Sequence, residues 1–166
     1  MKVSVVAALG LVGLVGASAA RADMPVPHQR PGLWETTMTM MGKPYVTQSC
    51  VSEESAAKSS VFSSQLRRKN CSASAATRNA DGSWSSVSTC SFGNGAPHTT
   101  RVHVTGDFNS KVTMVVSTDG SGRPDTTMTM VWQGACKPGM RGGDVIMPNG
   151  MKINVMDGMG AGGAGH

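Results

Sequence analysis

Three residue types in this chain could do chemistry: thirteen methionines, four histidines and four cysteines. Thioethers are soft donors that select Cu(I). Met140, Met147, Met151, Met156, Met159 and His166 gather after Cys136 in a Gly-rich segment, where they suit a flexible Cu(I)- or Ag(I)-handling tail. Exposed methionines would equally scavenge oxidants. Met38, Met40, Met128 and Met130 fall in expected strands, where an unbranched, polarisable side chain fills a core well. His98 and His103 stand five apart on one expected strand, so they point to opposite faces and do not share a metal there. The cysteines form no C-x-x-C pair and have no nearby His, which argues against zinc. No G-x-S-x-G occurs, and no pair of acids stands out as general acid and base. The glycines of the tail lack the Lys and following helix of a phosphate loop. The chain therefore reads as non-enzymatic, with no cofactor apart from the copper alternative.

The elements that must position these residues are strands. Pro31-Gly32 opens a stretch that alternates, with Trp34, Thr36, Met38 and Met40 on one side and Glu35, Thr37 and Thr39 on the other. A period of two with β-branched and aromatic residues predicts a strand. Thr126, Met128, Met130 and Trp132 repeat the pattern late in the chain, and TTMTM occurs identically in both places. Two strands facing one core are expected, and direct pairing would draw the ends of the sheet together. Trp34, Met38, Met40, Met128, Met130 and Trp132 then form one Met/Trp-lined face. It is either a packed core or a groove that takes an apolar ligand or an envelope partner.

Lys2, the apolar run from Val3 to Val15 and Ala20-Arg21-Ala22 have the three-part layout of a signal peptide over residues 1–22. The run is shorter than the ~20 residues a spanning helix needs, so an integral membrane protein is not expected. A periplasmic or secreted mature chain follows. It would keep 13 basic and 10 acidic residues, a balance too even to suggest a nucleic-acid partner. Cys50, Cys71, Cys90 and Cys136 are then read as two disulfides. Three connectivities are open. Cys50–Cys71 with Cys90–Cys136 is preferred because each pair brackets a compact unit.

The rest of the chain predicts an α+β, mostly β fold: a single curved antiparallel meander of six or seven strands with one short helix packed on it. Residues 23–30, with Pro25 and Pro27, form an exposed lead-in. After strands at 33–41 and 45–50, Ser52 is placed to cap a helix that begins with Glu53 and Glu54 and extends toward Leu66, with a break near Ser59-Ser60, ahead of Arg67-Arg68-Lys69. Strands at 72–78, 83–92, 98–105 and 111–118 and the second TTMTM strand complete a domain over 31–136, with a turn at Asp81-Gly82. Residues 137–166 are expected to be largely disordered, with a short strand at 151–156.

These motifs resemble a bacterial family of exported domains of unknown function. The resemblance rests on Pro31-Gly32-Leu33-Trp34-Glu35, Met38-Thr39-Met40, Gln48-Ser49-Cys50, Cys71, Cys90, Met128-Thr129-Met130 and Cys136. It covers Pro31 to Cys136 and implies a periplasmic, disulfide-bonded, mostly antiparallel β domain. It implies no activity, substrate or catalytic residue, and says nothing of the Gly/Met segment beyond Cys136.

Overall fold

The computed structural model describes residues 26–40, 42–59, 61–62, 70–91, 96–120, 122 and 124–160. The signal peptide, Arg67-Arg68-Lys69, Phe92 and His166 of the sequence reading lie outside the described residues. Ten strands form one open antiparallel sheet: β1 (Gly32–Met40), β2 (Lys43–Val51), β3 (Cys71–Ala73), β4 (Thr77–Arg78), β5 (Trp84–Cys90), β6 (His98–Gly106), β7 (Lys111–Thr118), β8 (Thr126–Gly134), β9 (Asp144–Ile146) and β10 (Lys152–Asn154). Their order is β10-β9-β2-β1-β8-β7-β6-β5-β3, with β4 also on β5. Among the described residues the fold is mostly β with two short helices, α1 (Glu53–Lys58) and α2 (Val155–Gly160). The strands beyond the expected six or seven are short, two or three residues each, which is below the length at which alternation is readable.

The two TTMTM copies are immediate neighbours. β1 pairs with β8 so that Trp34 faces Trp132, Thr36 faces Met130 and Met38 faces Met128. Because opposed residues share a face, the register carries the Met/Trp side across the sheet: Met130 meets Val112, Met128 meets Met114, Met114 meets Val104, and Val104 meets Trp84. This inward side holds the core of Trp34, Trp84, Val102, Val104, Val112 and Met130, closed by Phe62 and Phe108. The opposite side is polar. There Thr37, Thr129, Thr113 and Thr105 line up in one row across four strands.

Helix α1 starts where expected. The Ser52 hydroxyl accepts from the Ser55 N–H at 3.1 Å, and the Ser52 N–H donates to the Ser55 hydroxyl at 2.8 Å. The helix stops at Lys58, and the Ser59 hydroxyl donates to the Ser55 carbonyl at 2.7 Å, the kind of local serine bond that competes with helix continuation.

The disulfides are Cys50–Cys136 and Cys71–Cys90, not the preferred Cys50–Cys71 and Cys90–Cys136. The pairing follows strand register. Cys71 and Cys90 are direct cross-strand partners on β3 and β5. Leu33 of β1 lies between Cys50 on one side and Gly134 on the other, and Cys136 comes two residues after Gly134. Chain proximity was the wrong guide, because β1 brings the end of β2 and the end of β8 together.

Two further expectations differ from the structure. The described part of the lead-in, 26–30, lies against the sheet. Val26 packs on the core, Gln29 donates to the Met130 sulfur at 3.6 Å, and the Arg30 N–H donates to the Phe108 carbonyl at 2.8 Å. Residues 137–160 are ordered into β9, β10 and α2. Their order comes from polar bonding that composition does not reveal. The Asp144 carboxylate, almost fully buried, accepts from Asn154 Nδ2 at 2.7 Å and from the Arg141 N–H at 2.9 Å, with Lys152 Nζ at 3.5 Å. The Gly143 N–H donates to the Cys50 carbonyl at 2.8 Å, and β9 pairs with β2 at Gln48 and Ser49.

Glycine is required where β6 turns into β7. Gly106 has φ +122°, and a Cβ there would collide with the Lys111 carbonyl oxygen and sit 2.9 Å from Val112 Cα. Both are backbone atoms and cannot swing aside. Gly106→Ala is expected to cost on the order of 3 kcal/mol, combining backbone strain with overpacking. Urea unfolding checks this; a loss below ~1 kcal/mol would contradict the close approach.

Candidate functional site: an apolar cleft at the sheet end

An open cleft of ≈ 440 Å³ lies where the start of β5 meets the end of β6, lined by Pro27, Arg78, Gly82, Trp84, Gly106, Asp107 and Phe108. Its floor is apolar and belongs to the core: Trp84 is 7% exposed and Phe108 5%. Pro27 of the lead-in contributes to its wall, and Arg78 and Asp107, both exposed, supply the charge.

Phe108 is held in an unusual conformation. Its φ of 59° is the one left-handed backbone of a non-Gly residue among the described residues. A β-carbon in this region costs roughly 1–2 kcal/mol. The turn around it is over-determined by Asp107, which explains how the strain is carried. Asp107 Oδ1 accepts from the backbone N–H groups of Ser110 at 2.7 Å, Asn109 at 2.8 Å and Lys111 at 3.2 Å, while Oδ2 accepts from the Ser110 hydroxyl at 2.7 Å. On the far side, the Arg30 N–H takes the Phe108 carbonyl. The ring is thereby driven inward beside Trp84.

The same bonds, led by the Ser110 N–H, hold the Asp107 carboxyl well below the usual carboxylate range. A depressed folded-state value contributes stability that is present above the ordinary carboxylate pKa near ~4 and is lost as pH falls toward the folded value. Unfolding midpoints should therefore drop on acidification below about pH 4, and Asp107→Asn, which keeps an acceptor oxygen, should flatten that part of the profile. An unchanged acid limb in the Asn variant would contradict the assignment.

The sequence-predicted face separates into two populations. Trp34 is fully buried and Met130 nearly so, and both are core. Met38, Met128 and Trp132 are half-buried. Met40 is in register beyond Met38 on β1. The Trp34 indole donates to the Arg30 carbonyl at 2.8 Å and the Trp132 indole to the Pro31 carbonyl at 3.1 Å, while the Arg30 guanidinium stacks 4.0 Å above Trp132. The two tryptophans thus clamp the lead-in rather than line an empty groove. Ser86, two residues along from Trp84 on the inward side, is buried, and its hydroxyl has no hydrogen-bond partner among the described residues.

The predicted tail ligands are only partly brought together. Met147 and Met151 bracket the β9–β10 turn, with the Met147 N–H donating to the Met151 carbonyl at 2.9 Å. The Tyr45 hydroxyl donates to the Met147 sulfur at 3.9 Å. Met156 sits beside Gly143 at the other end of that hairpin. Met159 is in α2, and His166 lies outside the described residues. Among the described residues, no group of three or more His, Cys, Asp or Glu side chains comes together.

Sequence reasoning placed Trp84 in the strand expected at 83–92 but gave Phe108, Arg78 and Asp107 no role in a site. Gly106-Asp107-Phe108-Asn109-Ser110 reads as a turn, and the available signal was an aromatic residue inside an Asp/Asn/Ser turn, where polar residues are the rule.

A family described as "protein of unknown function (DUF3617)" matches residues 29–136. The chain belongs to the DUF3617 family. Among curated proteins and among solved structures, none matches it. The DUF3617 match ends at Cys136, so β9, β10 and α2 stand outside it, while the Met/Trp face and the cleft residues other than Pro27 stand within it. No helix among the described residues is long and apolar enough to cross a membrane.

Proposed function

We propose that this DUF3617 protein is an exported, non-enzymatic module that binds an apolar small molecule in the cleft floored by Trp84 and Phe108. The observation that carries this reading is the strained Phe108: its ring is forced inward at the base of an open cavity large enough for a small ligand. Strain of this kind persists only where the surroundings enforce it, and it concentrates at ligand clamps. An aromatic floor with few polar groups suits an apolar body. Export is supported by the signal-peptide layout and by four cysteines that all form disulfides.

The test is a titration with N-phenyl-1-naphthylamine, an uncharged apolar fluorophore. The full-length protein should give saturable enhancement. Gly82 lines the cleft with φ +85°, so Gly82→Phe should plug the mouth and reduce affinity at least tenfold. Gly120→Phe is the control, because it carries a comparable left-handed cost at φ +70° in a turn with no atom within 4 Å. Equal loss in both variants, or no saturable binding by the native protein, would overturn the reading.

A further inference from the structure

The register places three methionines side by side on neighbouring strands: Met38 of β1 opposite Met128 of β8, and Met128 opposite Met114 of β7. The geometry points to a second site here, a thioether site for a monovalent soft cation, Cu(I) or Ag(I), distinct from the cleft and from the tail methionines.

Directly opposed residues hold their Cβ atoms about 5 Å apart. Two outer thioethers leaning toward a central one therefore reach a common point, because methionine has three rotatable bonds and an unbranched stem. All three side chains are half-buried, so solvent reaches the row. Core filling accounts for Met130, which is 7% exposed and inside the apolar cluster, and partly for Met114, which packs against it. Among the described residues, Met38 and Met128 belong to neither group.

The chemistry selects the ion. Tyr45 flanks Met38 and Val104 flanks Met114, so the row has no carboxylate within it to offset a divalent charge. The cysteines of both pairs are oxidised, and the described residues hold no His, Cys, Asp or Glu cluster. Neutral thioethers with no anionic partner favour a soft monovalent ion over Zn²⁺ or Ca²⁺. The row runs away from the cleft: Met114 stands two strands from Trp84, roughly 10 Å at the usual strand spacing, and Met38 four strands, roughly 19 Å.

The experiment uses the full-length oxidised protein and Ag(I), with methyl-¹³C methionine NMR as one readout and competition against a chromogenic Cu(I) chelator as the other. One equivalent of Ag(I) should shift the methyl signals of Met38, Met114 and Met128 together and leave those of Met147 and Met151 in place. Met38→Leu and Met128→Leu, close in volume, should each weaken Cu(I) binding at least tenfold. Met147→Leu/Met151→Leu should leave it unchanged. Shifts confined to Met147 and Met151 would move the site to the tail and overturn the proposal, as would no shift at one equivalent. The NMR arm stands on the native protein, so a variant that fails to fold does not rescue the idea.

Discussion

Serine at both Cys50 and Cys136 should lower the unfolding free energy by about 4.6 kcal/mol. The magnitude follows from the 86-residue separation of that pair: cross-linking so long a loop removes more disorder from the unfolded chain than a short one. Cys71–Cys90, with a separation of 19, should contribute about 3.2 kcal/mol on the same reasoning. Against a total of roughly 5–15 kcal/mol for a domain, the first loss takes much of the stability. It also frees the end of β8 from the end of β2, where the 137–160 segment joins the sheet. Guanidinium unfolding of the two double variants checks the order. A larger loss at Cys71/Cys90 would contradict it, and so would a non-reduced peptide map joining Cys50 to Cys71.

The second large effect is at Trp34. Trp34→Ala should cost about 4 kcal/mol, because a fully buried indole is replaced by a cavity and the Arg30 carbonyl loses its donor. Trp132→Ala should cost distinctly less, about half as much, since Trp132 is half-buried and is covered in part by the exposed Arg30 guanidinium. The pair is diagnostic because the two residues are direct cross-strand partners, one two residues before a TTMTM copy and the other two residues after. Equal losses would mean that the inward side is packed evenly at both positions, contrary to the burial difference.

Much of the sheet was legible in the sequence. β1, β6, β7 and β8 alternate cleanly, and their inward residues Trp34, Val102, Val104, Val112 and Met130 are the core. The duplicated TTMTM gave the right face, and the structure adds that the copies touch. What was not legible depends on contacts between segments far apart in the chain. The disulfide pairing needs the knowledge that Leu33 lies between Cys50 and Gly134, which is a statement about strand order. Ordering of 137–160 rests on the buried Asp144 and its donors, and a lone Asp in a Gly-rich run gives no periodic signal. The cleft depends on Phe108, whose burial comes from a turn that Asp107 ties down, whereas composition points such a turn toward solvent.

The central claim is that the Trp84/Phe108 cleft holds an apolar small molecule. The most direct measurement is N-phenyl-1-naphthylamine binding to the native protein and to Gly82→Phe and Gly120→Phe, with unfolding curves confirming that all three are folded. The account predicts saturable one-site binding by the native protein and by Gly120→Phe, with at least a tenfold loss in Gly82→Phe. Undiminished binding by a folded Gly82→Phe would contradict it.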